Sequence, residues 1–246
     1  SYGVADIESA GHLRLDFNPI ASILGGLLFG FGMALAGNCG YGALARVGGG
    51  DFRALLIVSG IGIASYMISI GPLAPLRLAL FSRIDGVEVS STGFAHLAGD
   101  LTGLSPTTIA LIVAAMIFAL PMMDSDFRRK PKAILWGAAI GASIALGWIG
   151  TTYLRDTGFD PILVETHTFT TPLGESLIYL MTSQFGAAGF SVGSVLGVLV
   201  GAFAGSLYLG HFKWEACDDP RELQRQLGGA FLMGFGGVIA LGCSVG

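Results

Sequence analysis

Residues Gly25–Gly42 read GGLLFGFGMALAGNCGYG, and residues Gly229–Gly246 read GAFLMGFGGVIALGCSVG. A shift of 204 positions lays the first stretch on the second and sets Cys39 on Cys243. It also superposes Gly25 on Gly229, Leu28 on Leu232, the triplet Gly30-Phe31-Gly32 on Gly234-Phe235-Gly236, Ala36 on Ala240 and Gly42 on Gly246. Eight of 18 positions are identical, and neither copy carries a charge. In a chain with 39 glycines, glycine matches are cheap, but a paired cysteine is not when the chain has only three. Each copy reads as a small-residue apolar helix that breaks at a cysteine. Repeated apolar segments interrupted at corresponding positions are the pattern that transporters build around a central site.

The composition fits that setting. Hydrophobic residues make up 52% of the chain and charged residues 12%, with a mean hydropathy of +0.71. A soluble domain carries about a quarter charged residues, so the chain belongs in a bilayer. The net charge of −4 decides little, because in a membrane protein the placement of charge matters more than its sum. Without a basic tail or a basic-aromatic patch, nucleic acid is not an expected partner. Three cysteines do not make a secreted disulfide framework, and no signal-peptide pattern is present. The second copy closes the sequence three residues after Cys243, whereas the first runs on through a loop into another apolar span. The expectation is a fragment of a longer protein, since a helix end left bare in lipid is costly.

Outward from the first copy, Asn18-Pro19 opens a helix over Ile20–Ala36, with Pro19 in the first turn where its missing N–H is harmless. The break at Gly37-Asn38-Cys39-Gly40 is followed by the short segment Tyr41–Arg46, then by three glycines, Asp51 and Arg53. This reads as a re-entrant hairpin turning near mid-membrane. Full spans are expected over Ala54–Ile70, Pro106–Met123, Ala133–Tyr153 and Ser191–Leu209, with a short helix around Phe94–Leu101. The amphipathic Pro172–Phe185 is too short to cross and reads as a second re-entrant piece. The basic loop Asp124–Lys132 faces the cytoplasm by the positive-inside rule. Four full spans between the copies put both on the same side. The expected fold is therefore an all-α, polytopic integral membrane protein, one domain over residues 1–246, with a parallel internal repeat and short re-entrant helices.

The chemistry expected follows from the two breaks. The N–H groups of Gly40, Tyr41 and Gly42, and of Ser244, Val245 and Gly246, sit where a helix N-terminus favours an anion. Cys39 and Cys243 add a soft, weakly donating thiol beside each set, which suits a sulfur-bearing anion better than phosphate. Around the thiols, Gly40, Gly42 and Gly246 are expected where the chain needs a positive φ. Against these readings stand plain ones: a buried free cysteine is often only a small hydrophobe, and Arg46 and Arg53 fit helix-end anchors as well as an anion mouth. The glycines at 193, 197, 201 and 205 read as a packing stripe rather than a pore lining. Cys217 has no counterpart and is given no role. The four histidines show no metal-ligand spacing, and no catalytic constellation, cofactor motif or metal site is present.

The segments GFGMALAGNCGYGALARVGGG and GFGGVIALGCSVG resemble the two signature segments of the YeeE/YedE family of sulphur-transport membrane proteins, and TFTTPLGESLIYLM at 168–181 is similar to a further family segment. The resemblance implies a multi-pass protein of the bacterial inner membrane that takes up thiosulfate, with selenium compounds as the alternative cargo in some relatives. It also implies that Cys39 and Cys243 line a central constriction and contact the substrate sulfur, and that no enzymatic step is involved. The partners implied are the anion, the bilayer and a cytoplasmic sulfur-carrier protein. Family members usually carry a further N-terminal portion with its own cysteine, and helices after the second signature. Two rival readings remain at this point. One is a membrane thiol–disulfide carrier, which lacks a CxxC pair or a neighbouring basic residue to activate it; the other is a packing subunit with no transport role.

Overall fold

The computed structural model describes residues 19–81, 103, 105–157, 164–182, 189–215 and 219–244. The helix expected around Phe94–Leu101, together with Cys217, Val245 and Gly246, lies outside the described residues. Ten helices run through the rest: α1 Pro19–Ala36, α2 Gly40–Gly48, α3 Phe52–Ser69, α4 Ala74–Phe81, α5 Pro106–Met123, α6 Ser125–Arg128, α7 Pro131–Thr157, α8 Thr171–Thr182, α9 Phe190–Tyr208 and α10 Pro220–Ile239. The only β pairing among the described residues is one bridge between Asp51 and Glu215. Among the described residues, four stretches are long and apolar enough to cross a bilayer: Ile20–Gly48, Phe52–Ser69, Pro131–Thr157 and Phe190–Tyr208. The chain is an all-α, multi-pass membrane protein.

Two compact units divide it. One takes in residues 86–166 and holds α5, α6 and α7. There Ser105 caps α5 by accepting from the Thr108 N–H at 3.3 Å, as a serine at this position should. Thr151 of α7 donates to the carbonyl of Glu165 at 2.9 Å and ties the extended stretch after the helix back onto it.

The other unit takes in residues 18–85 and 167–246 and contains both repeat copies. Its core is Leu44 of α2, Ile57 and Ile61 of α3, Leu173 of α8, Val195 of α9 and Met233 of α10. Helices α1 and α10 meet along a seam of glycines that lets the two backbones touch. A Cβ placed on Gly25 would lie 2.5 Å from the Ala240 nitrogen and 2.8 Å from the Gly236 carbonyl oxygen. One on Gly32 would lie 2.7 Å from the Gly229 carbonyl oxygen, one on Gly229 2.7 Å from the Ala36 nitrogen, and one on Gly236 would run into the Phe29 nitrogen. Early residues of α1 face late residues of α10, so the copies run antiparallel. The shift of 204 interchanges these contacts: Gly25 meets Gly236 and Ala240 as Gly229 meets Gly32 and Ala36.

That corrects the parallel sense expected of the repeat, and the reason lies at the first break. Helix α3 runs parallel to α10, with Gly60 against Ala230 and Gly234 against Ala64. Gly40, opening α2, lies against Ile61 of α3, whereas the turn after α2 is bonded to the segment ahead of α10: Lys213 N–H to the Gly49 carbonyl at 3.2 Å and Phe52 N–H to the Glu215 carbonyl at 3.1 Å. Helix α2 therefore leaves the middle of the bundle towards the end where α3 and α10 begin, continuing the direction of α1. The first copy is a broken spanning helix, not the re-entrant hairpin expected. Counting spans gave a parallel repeat only because the break was taken to turn the chain back.

The glycines of α9 are also corrected. A Cβ on Gly193, Gly197, Gly201 or Gly205 would meet nothing within 4 Å, so among the described residues this stripe packs nothing. Gly197→Ala is accordingly expected to change stability by less than about 0.5 kcal/mol. A thermal melt in detergent checks this, and a clear loss of folded protein would contradict it.

Candidate functional site

Both cysteines follow a left-handed residue. Helix α1 ends with Gly37 at φ +76°, its N–H donating to the Met33 carbonyl at 2.8 Å. Helix α10 ends with Leu241 at φ +58°, where Leu241 N–H bonds the Val238 carbonyl at 3.3 Å and Gly242 N–H the Gly237 carbonyl at 3.0 Å. These are two forms of one helix stop, the single-bond left-handed cap and the Schellman motif. Gly37 and Leu241 are related by the same shift of 204, and each stands two residues before its cysteine. Glycine bears this conformation freely, whereas a leucine pays for its Cβ. Leu241→Gly is expected to raise stability by up to about 1 kcal/mol; a lower melting temperature would contradict that.

The glycines around the thiols are not the strained ones. Gly40 and Gly42 are helical residues of α2, and the described positive-φ glycines are Gly37, Gly50, Gly103 and Gly210. The positive φ expected at Gly40 and Gly42 is therefore not found, because the chain makes its stop two residues before the cysteine instead of after it.

Cys39 is the N-cap of α2, in extended conformation, and its sulfur accepts the Gly42 N–H at 3.4 Å. The first N–H groups of a helix have no intrahelical acceptor. The Cys39 sulfur takes that of Gly42, and the Cys39 carbonyl takes that of Ala43 at 2.9 Å. The amides of Gly40 and Tyr41 are left pointing out of the start of α2, at its positive end. A thiol sulfur that accepts in this way keeps its own hydrogen for donation. Neither Cys39 nor Cys243 is in a disulfide, and both are half-buried.

The two cysteine turns are joined by a residue of the 168–181 segment that had no expected role. Phe169 lies at a bend in the non-helical stretch ahead of α8, yet it is 2% exposed. Its N–H donates to the Cys243 sulfur at 3.4 Å. Its carbonyl oxygen would be 2.8 Å from a Cβ on Gly40, and its ring sits 5.2 Å from that of Tyr41. Peptide dimensions then bring the Cys243 sulfur within about 12 Å of the Gly40 backbone. Next to it, Thr170 fills the space above Gly237, and His167 Nδ1 lies 2.6 Å from the Ser194 hydroxyl of α9. Helix α8 thus starts in the middle of the bundle, with Gly174 against the Gly62 carbonyl of α3. Ser244 is exposed beyond Cys243.

What meets here is a helix N-terminus with two unspent amides, two thiols, and a non-helical strut between them. No group of three or more metal-ligating side chains occurs among the described residues. Arg53, in the first turn of α3, is taken up by Asp51 at 3.5 Å and Glu215 at 3.6 Å, and Asp51 in turn caps that helix. It serves the corner between α2 and α3, as its plain reading held.

The chain is similar to the thiosulfate transporter TsuA of Escherichia coli (strain K12), 26% identical over 269 aligned positions that take in 100% of this chain and 72% of that protein. It is also similar to the thiosulfate transporter TsuA of Spirochaeta thermophila (strain ATCC 700085 / DSM 6578 / Z-1203), 28% identical over 245 positions, 93% of this chain and 69% of that one. The family model described as sulphur transport matches residues 1–246 from end to end, and the chain belongs to the sulphur-transport family.

Proposed function

We propose that this chain carries thiosulfate inward across the bacterial inner membrane, past Cys39 and Cys243 in turn. The observation that carries the reading is Phe169, whose amide holds one thiol and whose carbonyl abuts the turn of the other. The family and the relatives' names supply the class of cargo. Thiosulfate has a soft terminal sulfur and a hard trioxide end. The amides of Gly40 and Tyr41 and the dipole of α2 favour its charge, and a thiol offers the soft end a weak hydrogen bond. Weak, repeated contacts let an ion leave as readily as it enters, as conduction demands. The amides of Ser244, Val245 and Gly246 play the same part on the second copy. Nothing is oxidised or bonded covalently, so the protein acts as a transporter and not as an enzyme. The antiparallel copies bring the two thiols to the centre from opposite faces of the membrane.

The test is uptake of radiolabelled thiosulfate into vesicles containing the full-length protein. Cys39→Ala is expected to lower the rate about tenfold or more, in line with loss of one hydrogen bond to a charged group. Cys39→Ser, which still donates, should keep a part. Uptake by Cys39→Ala at the normal rate would overturn the reading, and a Cys39–Cys243 disulfide trapped during turnover would favour the redox carrier.

A further inference from the structure

The Asn38 side chain bridges the break itself. With the amide assigned the orientation that satisfies both of its ends, its nitrogen donates to the Gly37 carbonyl at 3.0 Å and its oxygen accepts from Arg46 Nη1 at 3.1 Å. Arg46 stands in the last turn of α2, yet its guanidinium reaches back along the helix to the residue before Cys39. It is exposed, and among the described residues no carboxylate pairs with it, unlike Arg53 and Arg155. One of its five N–H groups is spent on Asn38, which leaves a fork for an oxyanion. A cation in a membrane-embedded bundle that is neither paired nor simply turned to the aqueous end is a functional group by default.

We infer that Arg46, held by Asn38, is the residue that recruits the oxyanion and selects a doubly charged one, gripping its oxygens while the terminal sulfur reaches the Cys39 thiol. This rests on the transport reading above. Asn38 is a positioning residue in this scheme. A guanidinium suits the trioxide end because its planar fork matches two oxygens at once. The thiol and the arginine thus divide the ion between them, soft end to sulfur and hard end to nitrogen. Sulfate shares only the hard end and should compete at Arg46 alone.

Thiosulfate uptake by vesicles of the full-length protein, with sulfate as competitor, separates the two roles. Arg46→Gln is expected to raise KM about tenfold or more with little change in maximal rate, as loss of a charge-assisted contact would. It should also abolish sulfate competition and flatten the dependence of uptake on ionic strength. Arg46→Lys should recover part of the KM, and Asn38→Ala should raise KM less than Arg46→Gln does. Cys39→Ser should weaken thiosulfate uptake and leave sulfate competition intact. An unchanged KM in Arg46→Gln, with Cys39→Ala still impaired, overturns this inference and leaves the transport reading standing. A fall in maximal rate alone, matched by a lower melting temperature, overturns it too, because a structural role would explain both. Wild-type protein that takes up no thiosulfate overturns both.

Discussion

Gly236→Ala is expected to remove most of the folded protein from detergent extracts. The added methyl would run into the Phe29 nitrogen and lie 2.6 Å from the Gly25 carbonyl oxygen, and both are helix backbone that cannot rotate aside. Either α1 and α10 part along the seam or the helix deforms. Overpacking of this kind costs about 1–3 kcal/mol where side chains can yield and more where they cannot. Gly32→Ala, on the other helix, meets the Gly229 carbonyl at 2.7 Å and should behave alike. Gly228→Ala, beside the seam and with nothing within 4 Å, should be tolerated. Size-exclusion recovery and melting temperature of the three variants check this. A well-folded Gly236→Ala protein would show that the two copies do not pack as described.

The second large effect is expected at Gly40. A methyl there would meet the Phe169 carbonyl at 2.8 Å and push back the strut that holds Cys243. Uptake per folded molecule should fall at least about tenfold, because a shift of about 1 Å in a positioned group is enough for such losses. Gly42→Ala is the control. Its methyl would touch only the Cys39 sulfur at 3.7 Å and the Asn38 side chain at 3.8 Å, which is ordinary contact. It should keep most of its uptake. Equal transport by the two variants would mean that Phe169 does not couple the cysteine turns.

The contrast between Gly40 and Gly42 marks how far the sequence could be read. Spans announced themselves through continuous apolar runs: α3 and α9 differ from expectation by a residue or two at their ends, whereas Pro106–Met123 forms α5 as expected but falls short of the four stretches long and apolar enough to cross. The doubled glycine–cysteine motif was visible because a rare residue recurred at one shift. Its sense was not, because four residues from Gly37 to Gly40 decide whether the chain reverses or continues. Local propensity is the same for both outcomes. The choice is made by where α2 packs, against α3 and α9. Phe169 escaped for a different reason. It belongs to no helix and follows no period, and it is buried only because turns distant in sequence close around it. Arg46 fitted an anchor and an anion mouth equally in the sequence, because the sequence does not say which way a long side chain lies, and here it folds back against its helix to Asn38. The glycine stripe of α9 misled in the opposite sense, a regular pattern with nothing packed on it among the described residues.

The central claim is that Cys39 and Cys243 serve one anion path. Alkylation of the full-length protein by N-ethylmaleimide, with Cys217 replaced by serine, tests it most directly when the two thiols are followed separately by mass spectrometry. Thiosulfate should slow labelling of both, with one half-effective concentration, and sodium sulfate at equal ionic strength should do so far less. Protection of neither thiol, or of only one, would contradict the account.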